Sequence, residues 1–172
     1  MRRIQILSTV ALAASMGAAV VTAASTGFAA TGSAHFIKNA TSASLSGTSL
    51  VVSFKEAGLS SGSVETIKVG AMATTTYECV NGGGKNPSAS NKTTTRTQVS
   101  AQGTFTADKN GNIVGSESKA PPTAAELGFS CPSGQTVTFV SVSYSNVVLG
   151  DLTSGASISL PGTFNASNPS AP

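Results

Sequence analysis

The chain has no tryptophan, one histidine, two tyrosines and two cysteines, and only 10% of its residues are charged. Each scarcity removes a class of function. Metal-free sugar binders usually stack rings on aromatic platforms, and Tyr77 and Tyr144 alone make a thin one. A Ser–His–Asp arrangement needs a base held rigidly by a third group. The lone His35 stands close to the start of the expected exported chain, and no Gly-x-Ser-x-Gly elbow is present, so it reads as a surface or edge-strand histidine. The cysteines do not form a Cys-x-x-Cys pair, which argues against redox chemistry. Charges are scattered singly, without the basic stripe that neutralises phosphates, so nucleic acid and anionic membrane are poor partners.

One long apolar run exists, and it reads as an address. Met1-Arg2-Arg3 precedes an uncharged stretch from Ile4 to Ala24, and small residues follow at Gly27 and Ala29. That is the layout of a secretory signal peptide, with cleavage after Ala29 or Ala30. Gln5 stands where a twin-arginine signal carries a bulky apolar residue, which favours ordinary Sec export. Leu160-Pro161-Gly162-Thr163 is followed by Phe164 rather than the glycine of a sortase motif. The expected product is secreted and extracellular, with no membrane anchor. Without Arg2 and Arg3, eight basic residues face seven acids, a net charge of +1.

What remains suits one domain rich in threonine and valine, which favour strands, and in serine, glycine and asparagine, which favour turns. No window shows helical periodicity except a turn at 123–127. The clearest strand runs from Val64 to Gly84, with Ile67, Val69, Ala71, Ala73, Thr75, Tyr77 and Cys79 on alternate positions, the period of a sheet with one buried face. Further strands are expected at 34–40 (Phe36 inward), 49–55 (Leu50, Val52 and Phe54 inward), 93–107 and 156–164. The stretch Gln135–Leu149 is apolar on both faces, which requires cover on both sides or a bulge. Asn110-Gly111 favours a type I′ hairpin turn, which would pair Ala107 with Val114 and Phe105 with Ser116 and put Phe105, Ala107 and Val114 on one face and Ile113 on the other. The sum is an all-β fold: a single β-sandwich of Ig-like, Greek-key type with seven or eight strands. The domain plan is a signal peptide at 1–30, the sandwich at 31–164 and a flexible tail at 165–172.

Two cysteines in an exported chain imply one disulfide, Cys79–Cys131. Closing a loop of about 50 residues, it is worth about 4 kcal/mol in the chain-entropy model. Val80–Lys92 is irregular and glycine-rich, which argues for an exposed loop at the disulfide end. Asn81, Gly82, Gly83, Gly84, Lys85 and Asn86 are the candidate binding loop, since recognition residues concentrate in such loops; 124–134 would lie beside it.

In order along the chain, FKEAGL at Phe54–Leu59, YECVNGGGKNP at Tyr77–Pro87, the Asn110-Gly111 turn, and CPSGQ with VSVSYSNV through Val147 resemble a group of small, uncharacterised exported actinobacterial proteins. The resemblance implies a secreted β domain and carries no catalytic residues.

Other chemistry tests poorly. Glycosidase work needs two carboxylates across a cleft; Glu56, Glu65, Glu78, Glu117 and Glu126 supply pairs on paper, but most fall at turns or on expected wet faces. Asp108-x-Asn110-x-Asn112 opens like a calcium loop, yet Ile113 takes the glycine position and Lys119 that of the bidentate glutamate. Gly82–Lys85 lacks the spacing of a phosphate loop. The sequence therefore reads as a secreted, monomeric, non-enzymatic binding module without cofactor or metal, whose partner is an extracellular protein or a cell-wall polymer. The alternatives are a secreted protease inhibitor or a small secreted hydrolase. A buried acidic pair facing an open cavity would speak against the non-enzymatic reading.

Overall fold

The computed structural model describes residues 33–83 and 91–171. The expected signal peptide at 1–30, and Gly84, Lys85 and Asn86 of the candidate loop, lie outside them.

The described residues form two antiparallel sheets packed face to face. In the first, β1 (His35–Phe36) and β2 (Ser42–Ser46) follow one another along one edge of β3 (Ser49–Ala57), interrupted by a short 3-10 helix at Lys38–Ala40. The other edge of β3 pairs with β6 (Ile113–Lys119). In the second, β5 (Lys92–Thr106), β4 (Val64–Asn81) and β7 (Gln135–Asp151) lie side by side. Along the far edge of β7 run β8 (Ser157–Leu160) and β9 (Phe164–Ser167), separated at Pro161-Gly162. The chain crosses between sheets from β3 to β4, from β5 to β6 and from β6 to β7, a Greek-key path with nine strands in seven ladder positions.

The core follows from alternation. Leu50, Val52 and Phe54 of β3 face Ile67, Val69, Ala71 and Ala73 of β4 and Val142, Tyr144, Val147 and Leu149 of β7. Phe36, Phe54 and Phe105 meet edge to face, with centroids 6.0 and 5.1 Å apart, the geometry the ring quadrupoles favour. Tyr144 is fully buried, and its hydroxyl lies 3.0 Å from the Thr48 carbonyl and 3.2 Å from that of Lys119, tying β7 to the opposite sheet. Burial pushes its phenol up to about 12.

The two-faced apolar pattern of β7 has two bulges as its cause: one at Val140, between Thr76↔Ser141 and Tyr77↔Phe139, and one further along the strand. Between Gly70↔Val148 and Met72↔Ser145, β7 contains one more residue than β4, and Asn146 takes φ 52° there. The extra residue flips the strand's parity. Val142 and Tyr144 point inward before it, Val147 and Leu149 after it.

Three expectations need correction. The Asn110-Gly111 turn exists, but it does not close a β5–β6 hairpin: β5 pairs with β4, and β6 with β3. Only Gly111 of the two has positive φ, and Asp108 Oδ1 accepts from the backbone N–H groups of Asn110 and Asn112. The turn thus carries the chain from one sheet to the other, so Ile113 is 2% exposed and Val114 77%. The tail begins later than 165, because Asn165–Ser167 belong to β9 and Asn168 Nδ2 donates to the Phe139 carbonyl at 3.0 Å. Ser42–Ser46 lies outside the expected strands but is a full strand, with Ala43 and Leu45 alternating inward against the core between its serines.

Candidate functional site

The Cys79–Cys131 disulfide is formed, with Cα atoms 5.6 Å apart and a sequence separation of 52. It fastens the 120–134 connection to the end of β4, helped by Tyr77, whose hydroxyl donates to the Pro122 carbonyl at 3.0 Å. Thr123 and Glu126 form a capping box on the same connection: the Thr123 N–H donates to Glu126 Oε2, and the Glu126 N–H to Thr123 Oγ1. Of the candidate loop, Asn81 ends β4 and accepts from the Gly83 N–H at 3.1 Å, while Gly82 and Gly83 are exposed. His35 is exposed on β1. Asp108 spends its carboxylate on its own turn, which holds its pKa below the ordinary range.

At the opposite end of the sandwich the structure places something the sequence reading missed. Glu65 and Cys79 are fourteen positions apart on β4, so roughly 45 Å of strand separates the two ends. There Glu56 ends β3, Glu65 begins β4 and Asp151 ends β7, and all three carboxyls are buried, at 0%, 4% and 2% exposure. Solubility does not explain them. Each sits on the inward parity of its strand, continuing Leu50-Val52-Phe54, Ile67-Val69 and Val147-Leu149. Carrying each alternation one step further would have found them. Glu78 is buried too, but Lys92 pairs with it at 3.0 Å.

Ser154 Oγ donates to Glu56 Oε1 at 3.2 Å, and the Thr153 N–H donates to Asp151 Oδ1 at 2.8 Å. Glu56 Oε2, Asp151 Oδ2 and Glu65 Oε2 are buried without a hydrogen-bond partner. No lysine, arginine or histidine among the described residues forms an ion pair with these acids. Burial above all, then the neighbouring charges of Asp151 and Glu65, pushes Glu56 up to about 7. A proton held by Glu56 against Asp151 satisfies both carboxyls, the arrangement that close buried acids adopt. Glu65 keeps an unanswered oxygen.

Beside the acids lies a cavity of about 520 Å³. It is lined by the Leu59–Val64 connection, the turn at Thr153 and Ser154, Ala34 and Glu65. The walls are fixed by backbone bonds. Leu59 N–H donates to the Gly111 carbonyl, Gly62 N–H to Ala107 and Ala107 N–H to Ser63, at 2.8–3.1 Å. Thr66 N–H donates to Thr153 Oγ1 at 3.1 Å. Gly111 is required here, because a side chain would collide with the Leu59 carbonyl.

No family model matches the chain, and no curated protein does. Among solved structures the chain is similar to the solution structure of R. palustris CsgH, at 10% identity, over 78% of this chain and 91% of that one, with a TM-score of 0.25. A likeness at that level does not bear on the site.

Proposed function

We propose that this is an exported, non-catalytic β-sandwich module that binds an extracellular protein or a wall polymer through the pocket between the Leu59–Val64 connection and the Thr153-Ser154 turn. The observation that carries it is Glu65, a buried carboxylate with an unpartnered oxygen, among the residues that line an open cavity. Buried polar groups are ordinarily satisfied, and one left over in a preformed pocket suits a ligand that answers it.

The hydrolase reading gains from the same cluster. Glu56 at about 7 beside Asp151 resembles the split protonation that acid–base chemistry uses. Yet neither Glu56 nor Asp151 lines the cavity, and a general acid must reach the atom it protonates. Only Glu65 of the three acids lines the cavity.

The test is retention of cell-wall and culture-supernatant fractions on immobilised mature protein, beside Ser61→Trp, which fills the pocket mouth, and a deletion of residues 82–91. Retention lost in Ser61→Trp and kept in the deletion supports the pocket. The reverse pattern moves the binding site to the disulfide end. Turnover of a glycan or peptide substrate, abolished by Glu56→Gln, establishes the hydrolase instead.

A further inference from the structure

We infer that the pocket receives a primary ammonium group carried on an aliphatic stem, such as a lysine side chain or the amine of a wall polymer. This rests on the binding role proposed above and names the ligand's chemistry. Three buried carboxyls gather at one end with no basic side chain paired to them. Burying uncompensated charge is expensive, and a proton shared by Glu56 and Asp151 accounts for one pair of oxygens only. Glu65 Oε2 and Ser63 Oγ remain, both buried and unpartnered, on two residues that line the cavity.

A cation supplies what they lack. Among the described residues no three acids or histidines are disposed to hold a metal ion, so the geometry favours an organic cation with directional donors. Acceptors on two separate residues suit the tetrahedral donors of an ammonium better than the planar fork of a guanidinium, which prefers a paired carboxylate edge. Among the other lining residues, Ala34, Leu59 and Val64 offer the apolar contact that an alkyl stem covers. Ser60, Ser61 and Thr153 add hydroxyls to the lining.

The experiment is an amide chemical-shift titration of the mature protein with n-pentylamine, alongside n-pentanol, the Nα-acetyl, C-terminal amide derivatives of lysine and arginine, and calcium chloride. Saturable shifts at Gly62–Glu65 and Ser154 with pentylamine, absent with pentanol and weakened at least tenfold in Glu65→Gln, are the expected result. Tighter binding of the lysine derivative than of pentylamine points to a protein ligand, and the opposite order to a polymer amine. Ser61→Trp, at the exposed rim, must also abolish the shifts, which covers the case in which Glu65→Gln fails to fold. Equal response to pentanol, an unchanged titration in Glu65→Gln, stronger binding of the arginine derivative, or the same shifts with calcium overturns the assignment. If pentylamine does not bind while retention of envelope material still depends on the pocket mouth, the ligand is not an amine and the binding role stands.

Discussion

Glu56 shows how one side chain can make a fold's stability depend on pH. Its folded pKa is raised to about 7 from an ordinary 4.5, so the folded chain holds this proton more tightly than the unfolded chain. The resulting stability is present in full below pH 4.5 and is lost as pH rises through 7. Denaturant midpoints should therefore fall between pH 5 and 8, by roughly 1–3 kcal/mol, and Glu56→Gln should flatten that slope. An unaltered slope in Glu56→Gln would place the titrating group elsewhere. Tyr144 is a second case. It shares one hydroxyl proton between two carbonyls of the opposite sheet, so Tyr144→Phe should cost about 1–2 kcal/mol, measurable by urea denaturation. At Asn146, φ 52° is tolerated by asparagine and glycine. Asn146→Gly should leave stability nearly unchanged, whereas Asn146→Val should lower it by about 1–3 kcal/mol.

At the scale of elements, β4 was the most legible. Its seven alternating inward residues are all buried, and its last ones position Cys79. The alternation of β3 was equally plain at Leu50, Val52 and Phe54, but a charged residue at the next inward position reads as the end of a strand, so Glu56 was assigned to a turn. Glu65 lies inside the expected strand from Val64, but the inward set began at Ile67; Asp151 lies past the end of the expected stretch Gln135–Leu149. The acid end is thus written in the sequence as polar residues in apolar phase, a signal that composition hides. The Asn110-Gly111 turn misled differently: turn chemistry is local, and it does not say whether the strands it joins lie in one sheet or two. The bulging of β7 is visible as apolar residues on both faces, though only the pairing with β4 locates its two sites, at Val140 and Asn146. The disulfide was fully legible, since two cysteines allow one pairing. Replacing both by serine should lower stability by about 4 kcal/mol, read as a lower thermal midpoint. It should leave the pocket amides unshifted, because they lie at the other end of β4.

For the whole molecule, the two ends of one sandwich do different jobs. The disulfide, the Tyr77 hydroxyl and the Thr123–Glu126 capping box fix the long connection at one end. At the other, cross-sheet backbone bonds hold open a cavity over acids that no described basic residue answers. A net charge of +1 on the expected exported chain gives no long-range pull of either sign; the proposed binding role therefore rests on this local concentration of carboxyls. The account stands on the burial of those carboxyls at one end, with Asp151 beside Glu56 helping to raise its pKa. Side-chain carboxyl carbon shifts of Glu56, Glu65 and Asp151, followed by NMR from pH 3 to 9, test that most directly. The account predicts that Glu56 titrates near 7 and that Asp151→Asn brings its midpoint down; a Glu56 that titrates with ordinary glutamates and ignores Asp151→Asn would contradict it.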